Sequence, residues 1–180
     1  MNVENKKFTP EEMKVVVVRQ KAEENLCLEL SVEENLLIRL PILTLHEKIF
    51  PKKYLSEQAI DSLNGHTELK NKMKQVSDKL SGGQKHSLAF FSATAQKLKL
   101  LCLDEFLSST DYLTSQSLRQ KTRQYALGNN VCFIIVSHDF DVALEDADNI
   151  IILGNGQLID QFNKYSEKWS KLEIVKLINM

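Results

Sequence analysis

Two kinds of hydrophobic pattern alternate along the chain. Residues 14–20 (KVVVVRQ) form a β-branched run that turns polar at its end, which predicts a buried strand leaving the core. From residue 23 to about 97 helical signals dominate. Ser31 and Glu34 have capping-box spacing ahead of Leu36, Leu37, Ile38 and Leu40, and Pro41 interrupts that helix. Residues 56–63 read as a short helix closed by Asn64 and Gly65, and helix resumes over 68–76. A longer helix follows Ser81-Gly82-Gly83, from 84 to about 97. The remainder alternates strand and helix: strand 98–104 (LKLLCLD), helix 114–127 stopped by Gly128, Asn129 and Asn130, strand 131–137 (VCFIIVS) and helix 140–146. Strands 149–153 and 157–160 flank Gly154-Asn155-Gly156 and predict a tight hairpin, and the last fifteen or so residues predict an amphipathic helix. Apolar strands without alternation, joined by helices, predict an α/β fold whose parallel sheet is covered on both faces.

Bulk properties narrow the class. With 43% hydrophobic and 26% charged residues, the 180-residue chain suits one globular domain, or one domain with a small insertion. A formal net charge of −1, with mixed signs throughout, supplies no field that would attract nucleic acid or anionic lipid. Cys27, Cys102 and Cys132 are widely spaced and form no CxxC pair, so neither a disulfide framework nor a zinc site is indicated and a reducing, cytoplasmic setting is expected. No stretch has the apolar length of a membrane span, and the N-terminus has no secretory h-region. Any membrane part of the system is expected on another chain.

Three segments carry candidate chemistry. Leu80-Ser81-Gly82-Gly83-Gln84 is a polar, glycine-bearing turn opening a helix, where Ser81 and the bare amides of Gly82 and Gly83 suit an anion. A chance match to such a fixed five-residue string in this length is rarer than roughly 10⁻⁴. The strand 100–103 ends in Asp104-Glu105, which sets two carboxylates at the C-terminal edge of the sheet, where open α/β sheets bind ligands. The first suits Mg²⁺ and the second suits polarising an attacking water in phosphoryl transfer. Alone, the pair reads first as a strand running into a solvated acidic loop. Ser137-His138-Asp139 ends the next strand, and a histidine there can donate to a phosphate oxygen.

In this order the motifs resemble those of the ATP-binding-cassette (ABC) ATPases. Gln20 is similar to the Q-loop glutamine, 31–36 (SVEENL) to the helix start that follows it, and 80–84 to the signature sequence. Residues 100–105 resemble the Walker B strand, 108–111 the D-loop and His138 the switch histidine, while 142–159 resemble the final strand pair. The resemblance spans most of the chain. It implies a partial P-loop NTPase fold, a parallel sheet flanked by helices with an inserted helical subdomain. Residues 1–22 would be the end of an N-terminal core segment, 23–97 the helical subdomain and 98–180 the second core segment. It further implies ATP and Mg²⁺ as cofactors. Asp104 and Gln20 would lie on the metal, Glu105 would activate water, and His138 would touch the γ-phosphate. Ser81, Gly82, Gly83 and Gln84 would contact ATP held on a facing subunit, with Asp111 bridging the halves. Expected partners are a second copy or a second ABC ATPase subunit and a transmembrane permease docked on the helical segment, at the cytoplasmic face of a membrane.

The pattern breaks at the phosphate cradle. A P-loop needs G-x-x-x-x-G-K-[ST], and none of the six glycines is followed by Lys. Nineteen residues precede Gln20, so a truncated or split cassette, inactive alone, is expected. The alternative is a non-catalytic interaction protein or decayed product that keeps only the signature half-site. Phe106 stands where the family frequently has Pro, and Lys85-His86-Ser87 where it is more basic. Repair-type ABC ATPases would carry long heptad arms between Gln20 and the signature, which are absent, and translation-type ones would carry two cassettes, so transport is preferred.

Overall fold

In the computed structural model the described residues are 14–40, 59–61, 63, 66–96, 98–108 and 110–164. The described residues up to Val136 form one compact unit and those from Ser137 a second. The break at Pro41, the stop at Asn64 and Gly65, and the terminal helix lie outside the described residues.

The first unit is built on a parallel sheet in the order β1 (Val15–Val18), β2 (Leu100–Asp104), β3 (Cys132–Val136). Val18 pairs with Leu103, and Asp104 pairs with Val136. Val18, Leu101 and Leu103 are buried on one face of this sheet. Val15, Val17, Ile134 and Val136, which alternate with that set, are 42–54% exposed. Both faces are apolar, as the sequence predicts, and among the described residues of this unit the core lies against the face of Val18, Leu101 and Leu103. Apolar composition reports what a face can bury and not whether this chain buries it.

The covering layer centres on α3 (Gly82–Thr94), in which all residues from His86 to Ala93 are buried. A helix buried on all sides needs small residues where neighbours crowd it, and Ala89, Ser92 and Ala93 supply them between Phe90 and Phe91. Ahead of it, α1 (Val32–Leu37) starts with the predicted capping box: Ser31 Oγ accepts from the Glu34 amide at 3.3 Å, and Glu34 Oε2 accepts from the Ser31 amide at 2.8 Å. The helix expected over 68–76 is shorter. It is α2 (Thr67–Lys70), followed by turns and a 3₁₀ turn over Ser77–Lys79. The cause is tertiary: the amides of Val32, Glu33 and Ser77 bond the carbonyls of Gln75, Met73 and Leu30, which takes residues 73–77 away from helical pairing. After β2, α4 (Tyr112–Asn129) runs through Gly128 and stops only at Asn130, whose φ of 52° closes the helix in the left-handed region.

The second unit holds α5 (Phe140–Asp146) and an antiparallel pair, β4 (Asn149–Gly154) and β5 (Gln157–Asn163). Its small core is Ile152 and Phe162, with Phe140, Leu144 and Ile150 against them. The predicted hairpin forms on Asn155 (φ 50°) and Gly156 (φ 75°), two successive positive φ values that match the right-handed strand twist.

Candidate functional site

Strand register brings the first pair of predicted residues together. Gln20 lies two residues beyond Val18 and Glu105 two beyond Leu103, and those strand ends are paired in parallel, so both side chains leave the same edge at the same depth. Gln20 Nε2 donates to Glu105 Oε2 at 3.1 Å, across 85 residues of sequence, and to Ser108 Oγ at 3.2 Å. Glu105 is held in an unusual backbone state, with φ at 41°. Such a conformation costs a non-glycine residue about 1–3 kcal/mol and persists only when its surroundings enforce it. Here the Glu105 amide donates to the Val136 carbonyl at 3.0 Å, and the Glu105 carbonyl accepts from the Ser108 amide at 2.9 Å and from Ser108 Oγ at 2.8 Å. Asp104, exposed at the last position of β2, precedes that turn.

The Gln20 backbone is fixed by Asn25. Its Oδ1 accepts from the Arg19 amide at 2.8 Å, and its Nδ2 donates to the carbonyls of Arg19 at 3.0 Å and Lys21 at 2.9 Å. Sequence reading missed Asn25, and gave Ser108 only as the start of the D-loop resemblance, without its bond to Gln20. A short polar side chain in a non-helical stretch signals side chain to backbone bonding, but not which backbone it takes.

A second group forms at the start of α3. Ser81 is its N-cap, with Oγ accepting from the Gln84 amide at 3.3 Å while Gln84 Oε1 accepts from the Ser81 amide at 3.1 Å. Gln84 Oε1 also accepts from Lys72 Nζ at 3.1 Å, and its Nε2 donates to Glu68. Gln84 is thus held within its own helical layer, whereas Gly82 has open space where a Cβ would be. Gly83 is different: a Cβ there would meet Thr114 Oγ1 at 3.0 Å and Asp111 Oδ2 at 3.6 Å. Asp111 is the N-cap of α4, its two oxygens accepting from the Thr114 amide at 3.0 Å and the Thr114 hydroxyl at 2.6 Å. Those bonds, the hydroxyl's first, hold the exposed Asp111 carboxyl below its ordinary range.

His138 lies in the second unit, exposed, between β3 and α5; near it the Asp139 amide bonds Ser137 Oγ at 3.0 Å. Buried His86, on α3, lies edge to face with Phe106 at 5.8 Å, and burial lowers its pKa. Phe106 is itself buried against Phe90, so an aromatic side chain fills the position after Glu105.

Chemically, the Gln20–Glu105 edge offers hard oxygen donors of the kind Mg²⁺ takes, from the Asp104 and Glu105 carboxylates and the Gln20 amide. The start of α3 offers helix N-terminal amides at two glycines. Neither group contains the Gly-Lys pair of a phosphate cradle.

The sequence model of the family described as "ABC transporter" matches residues 2–108, more than half of the chain. The methionine import ATP-binding protein MetN of Campylobacter jejuni is 32% identical over 118 residues, 63% of this chain and 35% of that protein. The spermidine/putrescine import ATP-binding protein PotA of Clostridium acetobutylicum is 32% identical over 127 residues, 71% of this chain and 34% of that protein. The chain therefore spans about a third of the length of these curated relatives. Among solved structures, cbiO1 from Clostridium perfringens, part of the ABC transporter complex cbiONQ, superposes with a TM-score of 0.70 at 20% identity, covering 92% of this chain and 63% of that one. An ATP-binding cassette in a post-hydrolysis state, bound to ADP and Pi, gives a TM-score of 0.70 at 20% identity, covering 86% of this chain and 64% of that one.

Proposed function

This chain belongs to the ABC transporter family, and on that premise we propose that it is part of an ATP-binding subunit that couples ATP hydrolysis to transport across a membrane. The observation that carries this reading is the Gln20–Glu105 hydrogen bond of 3.1 Å at the C-terminal edge of a parallel sheet. In the proposal Asp104 and Gln20 hold Mg²⁺, which neutralises phosphate charge when bound, and Glu105 accepts the proton of the attacking water. His138 donates a hydrogen bond to the γ-phosphate. Ser81, Gly82 and Gly83 cap the phosphates of a nucleotide carried on a facing ATPase subunit, and Asp111 lies between the halves. Gln84, engaged by Lys72 and Glu68, supports that cap from behind. The partners are a second copy or a second ABC ATPase subunit and a membrane permease at the cytoplasmic face, with 23–97 as the inserted helical subdomain that meets it.

The 180 residues by themselves are proposed not to turn over ATP, because no Gly-Lys pair is present to hold the β- and γ-phosphates. The purified polypeptide is expected to release no phosphate from Mg²⁺-ATP. Mixed with a related ATP-binding subunit that keeps its P-loop but has a disabled signature, it is expected to restore turnover, and Ser81→Arg should abolish that rescue. Turnover by the polypeptide alone that disappears in Glu105→Gln would overturn the claim of inactivity. Failure of rescue with a competent partner would overturn the half-site roles.

A further inference from the structure

Gln20, Glu105 and Ser108 are connected in a way that constrains the direction of each hydrogen bond. A serine hydroxyl has one proton. That of Ser108 goes to the Glu105 carbonyl, 2.8 Å away, so Ser108 Oγ can only accept from Gln20, whose Nε2 lies at 3.2 Å. The other partner of that amide, Glu105 Oε2 at 3.1 Å, is an acceptor whenever the carboxylate is ionised. Both neighbours therefore demand the NH₂ end of Gln20. A flipped amide would set its carbonyl oxygen against two oxygens and lose both bonds. Asn25 meanwhile bonds the backbone on either side of Gln20 and leaves the side-chain flip undetermined.

From this geometry we infer that Ser108 is a positioning residue that sets the flip state of the Gln20 side chain. It turns the amide nitrogen toward Glu105 and leaves the carbonyl oxygen as the end presented to a divalent cation. Without the hydroxyl, Gln20 keeps the Glu105 carboxylate as its one acceptor in place of two, and its preference for this orientation weakens. The cation role rests on the ATPase reading above; the flip state itself does not.

The test reads the amide directly. In the ¹⁵N-labelled 180-residue protein, the Gln20 side-chain NH₂ signals are assigned by their loss in Gln20→Glu, and their hydrogen-exchange rate is measured. Two hydrogen bonds near the surface are expected to slow that exchange roughly threefold or more against an exposed glutamine. Ser108→Ala should raise it toward the exposed rate, and Ser108→Thr, which keeps the hydroxyl, should restore the slow rate. Unchanged exchange in a folded Ser108→Ala protein would overturn the assignment, as would a wild-type rate equal to that of an exposed glutamine. Should Ser108→Ala lose its dispersed backbone amides, the wild-type and Ser108→Thr rates decide. No activity is read, so failure of the transport ATPase reading would leave this result intact, and the reverse.

Discussion

Gly83 approaches Thr114 so closely that a Cβ on the glycine would sit 3.0 Å from the Thr114 hydroxyl and 3.3 Å from its methyl group. Thr114 cannot swing aside cheaply, since its hydroxyl and amide both bond Asp111. The first turn of α3 and the start of α4 are thereby keyed together through the absence of one side chain. Gly82, one residue earlier, has nothing within 4 Å of the same atom. Gly83→Ala is expected to be less stable than Gly82→Ala by about 1 kcal/mol, the lower end of overpacking costs. In a Thr114→Ala background that difference should vanish. Urea unfolding of the two single variants and the corresponding double variants measures it, and purely additive effects would show that the approach costs nothing.

Asn35 ties the helical layer together from its interior. Only 4% exposed, it accepts from the Cys27 amide at 2.8 Å and donates to the Cys27 carbonyl at 2.9 Å and to Ser77 Oγ at 2.9 Å, while its own carbonyl accepts from Ser92 Oγ at 2.9 Å. Asn35→Ala would remove a partner of the buried Ser77 hydroxyl and both part-buried bonds to the Cys27 backbone, and a polar group left unsatisfied when buried costs about 1–3 kcal/mol. A loss of roughly 3 kcal/mol is expected, against about 1 kcal/mol for Ser92→Ala, which removes a single bond. Denaturant midpoints at constant slope check both, and equal losses would contradict the hub role given to Asn35.

Local signals were legible in the sequence and long-range ones were not. The capping box at Ser31 sits within four residues and forms as its spacing predicts, and the structure adds a second of the same spacing at Ser81. The hairpin at Asn155-Gly156 is equally local. The meeting of Gln20 with Glu105 depends on the register of Val18 against Leu103, which neither strand states by itself. Resemblance to a family supplied that link. Asn25 stayed invisible, and Asn35 and Ser108 were legible only as parts of the 31–36 and 108–111 motifs, because a polar residue reads the same whether it faces water or clamps a distant group. The overextended helix at 68–76 has a similar origin: its local pattern is helical, but residues 28–33 compete for the same backbone groups. Gly128 misled for the opposite reason, since glycine is tolerated inside a helix and the left-handed stop falls at Asn130.

The buried histidine beside the Glu105 turn should make stability depend on pH. His86 is 4% exposed, and burial lowers its pKa; the nearby Glu23 carboxylate and a hydrogen bond with the Phe106 backbone oppose that shift only in part. Lys85, the neighbouring residue on α3, pairs with Glu23 at 3.5 Å and Asp78 at 3.8 Å, so Glu23 is shared between two cationic sites. His66, half-buried, is shifted the same way, by burial first and then by Lys121. The sign follows from which state takes the proton first. Above the ordinary histidine value near 6.5 the imidazoles are neutral in both folded and unfolded chains, and they contribute nothing to the pH dependence. As pH falls through that value the unfolded chain binds protons that the folded one resists, so stability declines until pH passes below the folded-state pKa, where the decline ends. Wild type is therefore expected to lose stability between pH 7.5 and 5.5. His86→Gln, which keeps a donor but does not titrate, should lose less over the same interval, and adding His66→Gln should flatten the curve further. Urea unfolding at the two pH values measures the difference. Equal losses in wild type and His86→Gln would mean that the fold accommodates the imidazolium as readily as the unfolded chain does.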